Sequence, residues 1–312
     1  MNDIDKAVSR YNSLRNILLN NNFNVSEFKP INYGLQFSVE RLEWLGIIRI
    51  YQNKKSEVKI DLSQLGSDEN SVLLETLIGV QSSHPFREEG SVNLDDISLP
   101  VIGSDESGKG DYFGPLVSAC IFVDQNVENR LQQIGVKDSK SLSDSKILEL
   151  ARSIRKACDH QFVVIEISAE RYNQLYSKFT DEKKSLNDLL AWAHAKSLEE
   201  ILLSVECSTA IIDQFADERL IHQKLQEKGK SLNIIQAHRA ERHIAVAAAS
   251  ILARERFITK LNKLGNQYQT TLPKGASKTV VAVAKSLIEK NGTDVLKKIA
   301  KLHFKTTKEV LK

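Results

Sequence analysis

The sequence predicts two unequal domains, a small α+β domain over residues 1–90 and a larger layered α/β domain over residues 91–312. Three observations predict this division. Up to residue 80, a helix-spaced stretch is followed by strand-like pieces and a second helical stretch. Residues 82–96, SSHPFREEGSVNLDD, are polar and interrupted by a proline and a glycine, the composition of a linker. From residue 99 onward, short apolar strands alternate with helix-spaced segments, the pattern of a layered α/β domain.

In the first domain, Ile4, Ala7, Val8, Tyr11, Leu14, Ile17 and Leu18 form one apolar stripe, predicting a helix over residues 3–20. Tyr33 to Glu40 alternates loosely as a strand. Trp44 to Tyr51 and Glu57 to Leu62 flank a polar Gln-Asn-Lys-Lys turn and predict a hairpin. Residues 68–80, DENSVLLETLIGV, predict a second helix capped by Ser67 or Asp68. In the second domain, Leu99 to Ser104 and Pro115 to Val123 read as strands. A helix over 143–157 starts at a Ser143 cap, and Phe162 to Ile167 is a β-branched strand. A long helix spans 184–204, and Thr209 to Ile212 is a buried strand ending in Asp213. A second long helix spans 240–263, and basic helices cover 279–290 and 293–301.

Hydrophobic residues make up 41% of the 312 and charged residues 27%, which supports a packed core and excludes a disordered chain. The apolar runs are too short and interrupted for a membrane span. The opening MNDIDKAVSRYNSLRN lacks the apolar centre of a secretion signal, so a cytoplasmic location is expected. Cys120, Cys158 and Cys207 lie far apart and fit neither a zinc pattern nor a disulfide framework, and are expected to be reduced. The net charge of +3 conceals an asymmetry: residues 251–312 hold 14 Lys/Arg against 4 Asp/Glu. That basic stretch is either a solvated helical tail or a surface for a polyanion. Residues 1–90, with 10 Lys/Arg and 12 Asp/Glu, carry no such excess. Nucleic-acid binding there would need a local patch such as Lys54, Lys55 and Lys59. Tyr33, Phe37 and Tyr51 are candidates for stacking on bases, with core the expected place for at least one of them.

The segment VIGSDESGKGDYFGP, residues 101–115, is the most informative. An apolar strand runs into Asp105 and Glu106, two carboxylates that are costly there unless neutralised. A divalent cation neutralises them well, since Mg²⁺ takes a few carboxylates together with phosphate oxygens and water. Gly108 and Gly110 leave backbone N–H groups open to a phosphate. Gly103, Gly108 and Lys109 also match most of a nucleotide-binding P-loop. Gly110, however, replaces the hydroxyl that holds Mg²⁺, and the two acids would repel the phosphates, which excludes that reading. Asp213 closes a second apolar strand, and acids at the ends of neighbouring strands converge where α/β sheets place their sites. Taken alone it is a turn aspartate, with Asp217 a weaker rival. Glu241 lies in RAERHIAVAAAS, where Ala245, Ala248 and Leu252 would share its helix face and let the helix press on the sheet. It is expected in the first helical turn, where the dipole favours negative charge.

Together these positions resemble the type 2 ribonuclease H family over roughly residues 99–312. GSDESGKGDYFGPLV is similar to its first motif, Lys137-Asp138-Ser139-Lys140-Ser141-Leu142 to its DSK-x-L loop, and AIID with Asp213 and RAERHIAVAAASILAR with Glu241 to its later acidic sites. Glu241 in place of the usual Asp, GKGDYFGP in place of GRGPLAGP, and an added N-terminal domain resemble the ribonuclease HIII branch rather than ribonuclease HII. Ala276 replaces the tyrosine of the HII Lys-Gly-Tyr, which implies cutting of continuous hybrids rather than excision of single ribonucleotides. Ser107 and Lys109 depart from the HII pattern of Ala or Val and Arg.

The resemblance implies a ribonuclease H-like layered α/β catalytic domain with a central mixed sheet and flanking helices, and an N-terminal domain like half of a TATA-binding protein that helps hold the substrate. It implies a metal-dependent endoribonuclease that hydrolyses the RNA strand of RNA–DNA hybrids, leaving 5′-phosphate and 3′-hydroxyl ends. Asp105, Glu106, Asp213 and Glu241 would hold two Mg²⁺ or Mn²⁺ ions. Gly108, Lys109 and Gly110 would read the 2′-hydroxyl, while Ser139, Lys140, Lys274 and Ser277 would hold phosphates. A monomer without an obligate protein partner or membrane contact is expected. The alternatives are ribonuclease HII-type incision at single ribonucleotides and a hybrid-binding protein without catalysis.

Overall fold

The computed structural model describes residues 5–42, 44–53, 57–62, 73–74, 77–78, 94–136, 142–214, 219–237 and 239–312. They fall into two compact units, Met1–Ser91 and Val92–Lys312.

In the first unit, α1 (Asp5–Leu19) buries Ala7, Tyr11, Leu14 and Leu18, the helical spacing that the sequence carries. An antiparallel sheet is built from β1 (Asn24–Val25), β2 (Lys29–Ile31), β3 (Gly34–Arg41), β4 (Trp44–Gln52) and β5 (Val58–Asp61). Alternation on β3 and β4 turns Leu35, Phe37, Val39, Ile48 and Ile50 into one core with α1. Phe37 is a core aromatic, edge-on to Tyr11 with ring centroids 4.9 Å apart, whereas Tyr33 is exposed and Tyr51 half-buried. Lys59 is exposed. Leu73, Leu74, Leu77 and Ile78 are helical, with Leu74 and Ile78 buried one turn apart. The predicted caps Ser67 and Asp68, together with Lys54, Lys55 and the linker up to residue 93, lie outside the described residues.

The second unit is layered around a five-stranded sheet of β6 (Val101–Ser107), β7 (Leu116–Val123), β8 (Phe162–Ile167), β9 (Thr209–Asp213) and β10 (Asn233–Ala237), in the order β10-β9-β6-β7-β8. β10, β9 and β6 run parallel, β7 pairs antiparallel to β6, and β8 antiparallel to β7. The helices are α2 (Gln125–Gln133), α3 (Asp144–Ala157), α4 (Ala169–Asp181), α5 (Leu186–Ile201), α6 (Arg219–His222), α7 (Ile244–Gln267), α8 (Lys278–Asn291), α9 (Val295–Ile299) and α10 (Lys305–Val310). Ser143 caps α3 as its sequence predicts, accepting from the Lys146 N–H. α7 covers one face of the sheet and α5 the other. The strand period of two sends Val101 into the α7 core and Ile102 into the α5 core. At Gly103 a Cβ would stand 2.2 Å from the Ala245 carbonyl carbon, so only glycine lets α7 lie this close to β6.

Four elements have weak sequence signals: α2, α4, β10 and α10. α2 buries only Val127 and Leu131 in an otherwise polar segment, and β10 is five residues long. One expectation is corrected. The helix predicted from residue 240 begins at Ile244, and Ala240–Arg242 form a separate 3₁₀ turn. Arg239 adopts a left-handed conformation and His243 an extended one, its ring accepting from the Ala245 N–H, so the helical path is broken between Glu241 and α7. Glu241 therefore precedes the helix instead of sitting in its first turn. β6 continues as strand through Ser107 and turns back into β7, leaving no helix where a P-loop requires one. All three cysteines are free. Among the described residues no helix is long and apolar enough to cross a membrane.

Candidate functional site

The site begins with strand register. Gly103 and Ser104 of β6 pair with Ile211 and Ile212 of β9, so Asp105 and Asp213 occupy the next position at the carboxyl ends of two parallel strands. Buried residues fix both strands, Val101, Ile102 and Ser104 before Asp105 and Ala210, Ile211 and Ile212 before Asp213, and leave the acids at the edge of the layer. Alternation turns Glu106 away from Asp105: Glu106 faces α5, while Asp105 hydrogen-bonds to Ser250 of α7. The Glu106 N–H donates to Asp105 Oδ1 at 2.7 Å. Asp213 Oδ1 accepts from the Ala240 N–H at 3.0 Å, which fastens the 3₁₀ turn carrying Glu241 to the end of β9. Glu241 itself is only 7% exposed.

The two neighbouring acids have opposite electrostatics. Burial, then the Glu106 charge, holds the Asp105 carboxyl well above its usual range; Asp213 adds to the rise and the Ser250 hydrogen bond opposes it. Burial also pushes Glu106 upward. The hydrogen bond and charge of His194, aided by Lys109, outweigh burial and bring Glu106 below its usual value. His194 Nε2 lies 3.1 Å from Glu106 Oε2, and Lys109 Nζ 3.6 Å from Oε1.

The residues expected to meet substrate are dispersed differently. Gly108 has φ +91°, and a Cβ there would stand 2.2 Å from the Pro115 carbonyl oxygen, so the protein's own packing requires this glycine. Gly110 is exposed, with nothing near its missing Cβ. Lys274 pairs with Asp144, Nζ to Oδ1 at 2.6 Å, and Arg254 joins the same carboxylate at 3.4 Å. Ser277 is exposed at the start of α8 and makes no side-chain cap bond. Ser139, Lys140 and Asp217 lie outside the described residues.

Sequence reasoning missed His194, Ser250 and Lys301. His194 sits in the apolar run LLAWAHA, where it reads as core, and Ser250 ends a run of alanines. Lys301 is fully buried, and Nζ donates to the Asp111 and Gly114 carbonyls at 2.8 Å and to Phe113 at 3.4 Å. Around it, Phe113 bridges Ala300, the Gly114 N–H donates to Ile299 O, and the Lys301 N–H donates to Tyr112 O. Burial lowers the Lys301 pKa to about 7, against an opposing pull from Asp111. Its place in a basic stretch read as either a solvated tail or a polyanion surface hides this role.

An all-carboxylate set of this kind suits a hard divalent cation. Asp105, crowded by like charges at a buried position, is the group such a cation would relieve. Among the described residues, no three His, Cys, Asp or Glu side chains converge at ligating distance. The acids border one end of the sheet instead of closing a cage. Open coordination is what Mg²⁺ accepts, since it retains water and takes substrate phosphate oxygens.

The family model described as Ribonuclease HII matches residues 102–307. The chain is 45% identical to ribonuclease HIII of Protochlamydia amoebophila over 212 residues, 68% of each chain. It is 39% identical to ribonuclease HIII of Chlamydia muridarum over 287 residues, 87% of this chain and 92% of that one. Among solved structures, Bst-RNase HIII in complex with Mn²⁺ is similar at a TM-score of 0.64 and 28% identity, covering 89% of both chains.

Proposed function

The chain belongs to the ribonuclease HII family, in its ribonuclease HIII branch, and from that premise we propose that it hydrolyses the RNA strand of RNA–DNA hybrids at the end of β6 and β9. The observation that supports the site is the register that sets Asp105 beside Asp213, with Glu106 on the next residue and Glu241 carried in by the turn fastened to Asp213.

Asp105, Glu106, Asp213 and Glu241 are the residues to hold two Mg²⁺ or Mn²⁺ ions. When bound, such ions acidify a water to make the nucleophile and stabilise the leaving 3′ oxygen. Asp105 must give up its proton to serve as a ligand, so loading the site releases protons where that carboxyl is otherwise protonated. Ser250 holds one acid from the α7 side and His194 the other from the α5 side. Discrimination for RNA requires contact with the 2′-hydroxyl, displayed in the wide minor groove of an A-like duplex. The exposed backbone at Gly110, beside Gly108 and Lys109, is suited to that contact. Lys274, Ser277, Ser139 and Lys140 are read as phosphate contacts. Lys274 would then exchange Asp144 for substrate. Such contacts carry no base information, so cutting is expected to be largely sequence-independent. Residues 1–90 are read as a second hold on the hybrid, and the enzyme as a cytoplasmic monomer.

The test compares a continuous hybrid with a DNA duplex holding one ribonucleotide, each with Mg²⁺ or Mn²⁺. Cutting of the hybrid alone, abolished by Asp105→Asn, is the expected result. Efficient incision at the single ribonucleotide would transfer the protein to the ribonuclease HII activity, against the reading of Ala276.

A further inference from the structure

We propose that His194 is a positioning residue for Glu106: a buried imidazole, braced by Ser104, that holds one carboxylate oxygen so that the other is presented to a divalent cation in a fixed orientation. The inference rests on the reading of Glu106 as a cation ligand.

His194 is fully buried on α5, a helix whose other buried residues include Leu189, Leu190, Ala191, Ala193, Ala195 and Leu198. A leucine or methionine would fill such a place without two ring nitrogens to satisfy, and an unsatisfied buried polar group costs about 1–3 kcal/mol. Both nitrogens are engaged. Nδ1 is 2.8 Å from Ser104 Oγ and Nε2 is 3.1 Å from Glu106 Oε2. Ser104 and Glu106 are two apart on β6 and so face the same side, which lets one ring span both. Ser104 Oγ also lies 3.1 Å from the Ala119 carbonyl, so its single proton goes to that oxygen or to Nδ1. An ionised carboxylate can only accept, so Nε2 must carry the proton, and Ser104 on the opposite nitrogen keeps the ring in that plane.

The helix itself is anchored at this point. Ser197 Oγ donates to the His194 carbonyl at 2.9 Å and lies 3.1 Å from Ser118 Oγ, and Cys120 Sγ lies 3.1 Å from the Ser197 carbonyl. These short polar contacts stitch α5 to β7 within an otherwise apolar face. With Oε2 taken by His194, Oε1 remains on the side of Lys109, whose side chain is 39% exposed. Outer partners of this kind typically change metal affinity by about 10–100-fold when removed.

The experiment titrates Mn²⁺ alone into metal-free full-length protein by calorimetry, alongside thermal unfolding with a chelator present. His194→Leu, which fills the core, is expected to weaken Mn²⁺ binding by about 10–100-fold while unfolding stays cooperative. His194→Gln, whose amide can still donate to Glu106, is expected to recover part of the loss. Ser104→Ala leaves the ring but removes its brace, and is expected to give a smaller loss; it carries the test if the His194 variants do not fold. Hybrid cleavage should show a raised Mn²⁺ requirement and lowered kcat with KM for the hybrid unchanged. Wild-type affinity in His194→Leu and Ser104→Ala would overturn the proposal and make His194 a core residue. Equal losses in His194→Leu and His194→Gln would also overturn it, since donation to Glu106 would then not matter. No Mn²⁺ binding by the wild type would instead overturn the carboxylate site itself.

Discussion

Asp105 and Glu106 are consecutive on one strand, yet they live in different chemistry. Asp105 looks toward α7 and finds one serine hydroxyl and two like charges; Glu106 looks toward α5 and finds an imidazole and a lysine. Their carboxyls are driven in opposite directions from a similar burial. Burial alone does not set a carboxylate's proton affinity; the charges and hydrogen-bond donors around it do. On the proposed reading Asp105 is the acid a cation would relieve, and Glu106 the one that keeps its negative charge without it.

The largest effects should come from neutralising each acid. Asp105→Asn and Glu106→Gln are both expected to cut hybrid hydrolysis by more than the about 100-fold that losing an outer partner costs. Without metal the two should part. The Asp105 carboxyl titrates above its unfolded value, so its contribution is favourable in acid and is lost as pH rises through the folded value. Glu106 titrates below its unfolded value, so its contribution is present above that value and lost as pH falls through the folded one. In chelator at neutral pH, Asp105→Asn should unfold at a higher temperature than wild type and Glu106→Gln at a lower one. Shifts of the same sign would break the comparison.

A smaller effect tests the α7 face alone. Gly103→Ala puts a methyl into the Ala245 backbone and is expected to destabilise the metal-free protein by about 3 kcal/mol or more, since neither strand nor helix backbone yields easily. Denaturant unfolding measures it. Cleavage should fall as well, because Ser250 retreats from Asp105 with the helix. The smallest change sharpens the α5 face. Lys109→Ala removes a partly exposed ion pair and should alter stability by about 0–1 kcal/mol, with a screened, salt-sensitive effect. A pronounced fall in cleavage at unchanged stability would locate the lysine's role on substrate.

Asp105 and Asp213 stand out in the sequence because each closes a strand that begins in apolar residues, where a carboxylate is costly without a purpose, and Glu241 because small residues on its expected helix face would press it towards the sheet. The strands and most helices were legible for the same reason that they fold: their periodicity is their packing. Glu241's turn was not, because the helix start is decided by a distant acceptor, Asp213, that takes the Ala240 N–H. His194 was invisible because a histidine among leucines and alanines looks alike whether it fills space or braces an acid. α2 and α4 were missed because short amphipathic stripes in polar segments gain their definition from the elements they pack against.

Lys301 grips carbonyls as far as 190 residues earlier in the chain, in the turn that follows the two acids. Synthesis runs from the first residue onward, so Asp105 and Glu106 leave the ribosome well before the ammonium that frames the loop beside them. A nascent chain thus carries its acids early and receives the brace for their neighbouring loop late. Completion of the candidate site is a matter of timing as well as geometry, and a chain halted before residue 301 would be born without that frame.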